Sequence, residues 1–316
     1  MIHLILLLIG TIYCTEDVVL EFSRFTKKFN REYLTIKETM ERFEIFSENY
    51  KYIQEHNNKN LGFTLKVNQF SDLTPEELNS MFQGIDVEEA FCETKSLPGE
   101  PDLIDWREKE VITPVRNEES CNSGWAMSVA GALESYHAIH HKEVTEVSVQ
   151  ELIDCSSKDD DGCKNGSPDS AFEYVSKEGI STEESYPYVG RKEECQINDK
   201  KLEFPSCFTV PPKNTKELLL ALVENPVVIA VKANNRNFLN YNSGVLRSSC
   251  GTSNDKLDHY VLLVGAGVKD NYPCWIIKNS WGTEWGEKGY AFILREEKEK
   301  KYENNCGITE YSLYPT

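Results

Sequence analysis

Pro114-Val-Arg-Asn-Glu-Glu-Ser-Cys-Asn-Ser-Gly-Trp-Ala-Met-Ser128 decides how the rest of the chain is read. It reads as a tight loop feeding a helix. Asn122 or Ser123 is placed to cap that helix. Trp125, Val129, Leu133 and Tyr136 recur at helical spacing and give it an apolar face. A helix start of this kind offers unpaired backbone N–H groups and a positive dipole end, which suits a thiolate nucleophile or an oxyanion.

The chain around this stretch has 316 residues, enough for two lobes and an accessory segment. Its net charge of −18 argues against nucleic acid or an anionic membrane surface as a partner. Residues 1–15 carry the apolar run Leu4-Ile-Leu-Leu-Leu-Ile9, too short to span a bilayer, and read as a secretory signal peptide. No later stretch has the length of a membrane span. Ten cysteines in a secreted chain imply disulfides. No Cys-x-x-Cys pair supports a zinc site. His137 and His141 share a helical face but lack the following Glu and third ligand of a zinc protease, so His137, His140 and His141 read as solvated. No metal and no cofactor is expected.

Residues 16–82 read as a charged helical region. Phe22, Phe25 and Phe29 form one short apolar face. Glu38, Arg42, Phe46, Asn49, Ile53 and Asn57 share a stripe along a longer helix, where Glu38 and Arg42, four apart, can brace each other. Asn68-Gln-Phe70-Ser-Asp72 follows. Residues 83–100 turn acidic and end in Pro98-Gly99-Glu100-Pro101, a linker. Further on, apolar β-branched runs at Val227–Ala233, His259–Gly265, Cys274–Lys278 and Tyr290–Leu294 are bounded by Gly, Asn or Pro and read as strands. The charged run Glu296–Lys301 reads as a solvated loop. Leu257-Asp258-His259-Tyr260 puts a histidine just before an apolar strand. Lys278-Asn279-Ser280-Trp281 supplies an amide able to accept from one ring nitrogen, with an indole to shield the pair. A lone buried histidine is usually structural; here both flanking motifs accompany it.

These motifs together resemble the papain-like cysteine proteases (cathepsin L-like, peptidase family C1). The Glu38-to-Asn57 set and Asn68–Asp72 resemble the two signatures of that family's pro-segment, with Lys66 where the family's second motif begins with Gly. Cys121-Asn122-Ser123-Gly124-Trp125 resembles its nucleophile loop, and the His259 and Asn279 motifs its base and orienting amide. The resemblance implies an α+β, two-lobe fold preceded by a helical inhibitory pro-segment of the I29 type. The implied domains are residues 16–82 as pro-segment, 83–100 as linker and processing region, and 101–316 as the protease domain. Within the last, about 101–208 would be the helical lobe and about 209–316 the antiparallel, barrel-like β lobe. It implies the pairs Cys121–Cys163, Cys155–Cys195 and Cys250–Cys306. Cys92–Cys207 is a further candidate that would leave Cys274 free.

Against that family pattern, Gly124 stands where the nucleophilic cysteine belongs, and Glu118 where the oxyanion-hole glutamine belongs. Ser123 is one residue off, so its side chain would point about 100° away around the helix. An ionised Glu118 would repel a developing oxyanion, and losing one such donor costs roughly 2.7–4 kcal/mol, whereas a Glu118 protonated at acidic pH could donate weakly. The substrate rim would keep Gly166, with Asn165 before it opening the sequon Asn165-Gly-Ser167, a candidate glycan acceptor. Ser167, Pro168, Ala230 and Leu257 would line a roomy apolar specificity pocket with Asp258 beside it, and Trp281 would shield the catalytic pair. The expectation is a secreted or lysosomal, monomeric protease homologue that has lost covalent catalysis. Its partners would be peptides, proteins or cystatin-like inhibitors. Two alternatives stand beside it: a working peptidase, and a structural or storage protein with a vestigial cleft.

Overall fold

The computed structural model describes residues 16–82, 84–85, 91–156, 162–164, 166–196, 201–247, 250, 256–295 and 304–316. The signal-peptide reading of residues 1–15, the Asn165 glycan acceptor and the charged run after 295 lie outside them.

The accessory region is built on aromatic packing. Helix α1 (Glu16–Lys28) lays Phe22 and Phe25 against Phe43 and Phe46 of helix α2 (Ile36–Asn58), and all four rings are buried. Thr35 caps α2 by accepting from the Glu38 N–H at 3.1 Å. The expected Glu38–Arg42 brace does not form. Glu38 accepts from the Leu34 N–H, and Arg42 reaches helix α3 (Pro75–Met81), pairing with both oxygens of Glu77 and donating to the Asp72 carbonyl. A bidentate tertiary partner outcompetes a loose i,i+4 pair. Replacing Arg42 by alanine is expected to lower the urea midpoint by the equivalent of about 1–3 kcal/mol. Arg42→Lys should recover only part of this, because an ammonium cannot pair through a fork.

Strand β1 (Phe63–Leu65) adds the accessory region to the edge of the main sheet, antiparallel to β6. The strands that follow are β2 (Glu93–Thr94), β3 (Ile104–Asp105), β4 (Cys207–Thr209), β5 (Val227–Val231), β6 (Tyr241–Leu246), β7 (His259–Lys269), β8 (Tyr272–Lys278), β9 (Tyr290–Leu294) and β10 (Ser312–Pro315). The helices are α4 (Gly124–His141), α5 (Val149–Cys155), α6 (Pro168–Glu178), α7 (Thr215–Glu224) and α8 (Arg236–Leu239). Among the described residues the strands join in the order β1-β6-β9-β8-β7-β5-β10-β4-β2, with β3 on β7. The pairing is antiparallel except for β6–β9 and β2–β4, which are parallel. Gly244 of β6 has φ +90°, and a Cβ there would meet the Gly62 carbonyl at 2.4 Å, so only glycine lets the accessory strand approach.

The central strands are apolar without a break because both faces are buried. Val227, Ile229 and Val231 face one core, while Val228 and Ala230 face the other; in β7, Val261 and Leu263 alternate with Leu262 and Val264. Helix α4 lies on the second face with Trp125, Val129 and Leu133 buried. It is buried around its whole first half, not on one stripe, since α5, α6 and the sheet surround it. Disulfides join Cys92–Cys207, Cys121–Cys163, Cys155–Cys195 and Cys250–Cys306. Cys274 is a buried free thiol, pushed up to about 11 by desolvation.

Candidate active site

Three chain segments meet where α4 begins. Position 124 is the first residue of α4, His259 the first of β7, and Asn279 directly follows β8. Neighbouring β7 and β8 are antiparallel, with Leu262 opposite Lys278, so their ends carry His259 and Asn279 to the same edge. The loop before α4 is pinned by Cys121–Cys163 and by Asn122 N–H donating to the Cys163 carbonyl at 3.0 Å. The expected side-chain cap is absent. Ser123 stands at the cap position with φ −100° and ψ 18°, and its hydroxyl instead meets the Tyr188 hydroxyl at 2.9 Å. A residue outside the extended region cannot turn its oxygen onto the N2 or N3 amide.

His259 Nε2 lies 2.8 Å from Asn279 Oδ1, which also accepts from the Ser280 N–H at 2.9 Å. Asn279 therefore presents an acceptor, and the proton sits on Nε2. Nδ1 is left as a lone pair facing α4: a Cβ built on Gly124 would stand 3.1 Å from Nδ1 and 2.7 Å from Cε1. Trp281 stacks on the imidazole with centroids 4.7 Å apart. Burial holds the His259 pKa down to about 4, so the ring is a neutral base at physiological pH.

Glu118 is buried and accepts from Trp281 Nε1 at 2.6 Å. Its second oxygen makes no hydrogen bond, although Ser280 and the backbone of Gly124 and Ser123 lie close enough to favour the ionised form. Desolvation outweighs them and pushes the carboxyl up to about 8. Of the two forms of Glu118 weighed from the sequence, burial favours the protonated one at pH 5–7, a neutral acid with one O–H to donate.

The accessory region covers the site. Phe82 stands edge-on to His259 at 6.1 Å and to Trp281 at 5.7 Å, Phe70 meets Trp281 at 4.7 Å, and Asn122 donates to the Met81 carbonyl. Ile85 donates to the Leu257 carbonyl at 2.8 Å, so the chain runs on through the cleft. Sequence reasoning missed Phe82, Tyr188 and the buried Lys278, whose ammonium is held down to about 8 by desolvation. Phe82 lies outside the helical stripe, so no periodicity marks it.

On the substrate rim, Gly166 lies flat on Trp125; a Cβ there would fall 1.9 Å from the indole, so no side chain fits. Ser167 caps α6 and Pro168 is its first residue. Ala230 and Leu257 are buried. Asp258 is held by its neighbours in the β lobe. Its carboxylate binds Lys232 at 2.6 Å and the Ala233 N–H at 2.6 Å.

Residues 100–316 match the papain family cysteine proteases, and residues 22–78 match the cathepsin propeptide inhibitor domain (I29). The chain belongs to the papain family. It is 36% identical to cysteine protease XCP2 of Arabidopsis thaliana over 96% of this chain and 87% of that protein. It is also 36% identical to chymopapain of Carica papaya, over 95% and 87%. Among solved structures, the recombinant stem bromelain precursor superposes with a TM-score of 0.85 at 32% identity, covering 95% of this chain and 99% of that one. Digestive procathepsin L 3 of Tenebrio molitor larval midgut gives 0.85 at 30%, covering 96% and 100%. The fold is the papain-like α+β fold in its pro-form, and the I29 segment is its propeptide.

Proposed function

We propose that this papain-family chain is a pseudoprotease of the secretory or vacuolar route, whose cleft binds extended peptides or protein inhibitors without covalent cleavage. Gly124 carries the reading. It opens α4 with its backbone facing the Nδ1 lone pair of His259, where papain-family chemistry needs a thiolate, and it has no side chain. His259, Asn279 and Trp281 keep the geometry of a general base with its orienting amide and shield. The boundaries proposed are a pro-segment over residues 16–82, a linker over 83–100 and a protease-like domain over 101–316. Four disulfides among the described residues, and relatives that include KDEL-tailed cysteine endopeptidase CEP2 of Arabidopsis thaliana, support the secretory route.

A second reading, slow hydrolysis by water, has one observation in its favour. His259 as a neutral base and Glu118 as a neutral acid both lie beside Gly124. The chain cut in its linker and incubated with a fluorogenic dipeptide at pH 5–7 separates the two. No turnover, with retained peptide or cystatin binding, is expected. Turnover that an epoxide thiol trap leaves untouched would favour water. Turnover that the trap abolishes would overturn both readings.

A further inference from the structure

A network joins the start of α6 to the residue just before β10, beside residues expected to line an open pocket. Asp169 directly follows Ser167 and Pro168, and its Oδ2 accepts from the Tyr311 hydroxyl at 2.6 Å. The backbone N–H groups of Phe91 and Cys92 face the same carboxyl, so the segment cross-linked to Cys207 backs it. Tyr311 is 7% exposed, and its carbonyl accepts from the Ala230 N–H at 3.3 Å. Its ring meets Tyr260 edge-on, with centroids 5.5 Å apart and planes at 63°. Tyr260 itself lies opposite Ala230 in the β5–β7 register. Ala230 and Leu257 pack in one apolar cluster with both tyrosines. Two phenol rings thus stand beside Ala230 and Asp169, where the sequence led to the expectation of a roomy pocket. Swinging Tyr311 out would break its hydrogen bond to Asp169 and expose a large buried ring, each opposed by a cost of its own.

Resting on the reading that Gly124 marks the nucleophile position of a peptide cleft, we propose that Tyr311 and Tyr260 fill the main specificity pocket from within, with Asp169 positioning Tyr311. The cleft then accepts extended peptides with a small side chain, glycine or alanine, at the pocket position and excludes bulky apolar ones. A filled pocket rejects added volume because its walls are close-packed and cannot collapse further.

The test uses the full chain carrying Gly124→Cys, folded with its pro-segment and then cut in the linker. Two epoxysuccinyl inhibitors are compared, identical except for glycine or leucine at the residue that enters the pocket, with adduct formation followed by mass spectrometry. The glycine form is expected to react at least about tenfold faster, an amount typical of one excluded side chain. Adding Tyr311→Ala should reverse the preference, and Tyr260→Ala should move it the same way even where Tyr311→Ala fails to fold. Asp169→Asn should shift the glycine-to-leucine ratio and not merely the overall rate, which a purely structural role would not do. Equal rates with the two inhibitors, or a leucine preference unchanged by Tyr311→Ala and Tyr260→Ala, would overturn the filled pocket. Absence of any adduct would instead overturn the assignment of Gly124, and the pocket proposal with it.

Discussion

Gly124→Cys is expected to turn the linker-cut chain into a thiol-reactive peptidase, raising dipeptide hydrolysis on the order of 10³–10⁶-fold over the natural chain. The new thiol would sit at the first residue of α4, where the helix dipole and unpaired amides lower a thiol pKa, beside the Nδ1 lone pair of a neutral His259. Part of the gain is lost to crowding. A Cβ at 124 would come within 2.7 Å of His259 Cε1, and Asn279 and Trp281 hold the ring from the other side, so it must yield by a few tenths of an ångström. Adding Glu118→Gln tests the neighbouring position. Because Glu118 keeps its proton to about pH 8, it can still donate at pH 5, and the amide should add little there. Above pH 8 the carboxylate becomes repulsive, and the double variant should exceed Gly124→Cys by up to about 10²–10³-fold. Fluorogenic turnover across pH 5–9 checks this; an advantage for the glutamine that does not grow with pH would remove Glu118 from the oxyanion role.

The second large effect is on stability. Burial raises the Glu118 carboxyl from 4.5 to about 8 in the folded chain. Below pH 4.5 both folded and unfolded states carry the proton, and the group's contribution is fully present. As pH rises towards 8 the unfolded state releases the proton while the folded state retains it, so stability falls by about 1.4 kcal/mol per pH unit across that window. His259 works in the opposite sense. Its folded value near 4 lies below the ordinary 6.5, so its contribution is present above 6.5 and lost as pH falls through 4. Comparing the natural chain with Glu118→Gln cancels the histidine and isolates the acid. Urea unfolding should show the glutamine variant gaining on the natural chain by a few kcal/mol between pH 5 and pH 8. Parallel curves would mean that Glu118 is ionised in the fold.

Much of the architecture was legible because the physics that writes it is local or repetitive. The four apolar runs became β5, β7, β8 and β9 since strands buried on both faces need no polar alternation. Strands of two to four residues, such as β1, β4 and β10, carry too short a pattern to stand out. The Glu38–Arg42 brace failed because periodicity sees neighbours on one helix and not Glu77 on another. The charge on Glu118 stayed open in the sequence for a related reason: a carboxyl's protonation depends on what surrounds it, and a sequence shows composition without burial. The Tyr311–Asp169 contact was not legible because Tyr311 comes from the far end of the chain, just before β10, and meets Asp169 only once the chain has folded. His259 and Asn279 were singled out as a pair because the motifs around them resemble those of the papain-like family; the geometry adds which nitrogen holds the proton.

The cross-link between Cys92 and Cys207 has a bearing on maturation. Because β2 is stitched beside β4 by that bond and by the parallel pairing of Glu93 with Phe208, a cut after position 92 frees nothing by itself. Only scission upstream of the knot lets the inhibitory helices diffuse away. The finished molecule would then wear a short leading strap, belted to its own flank, as a permanent part of its surface.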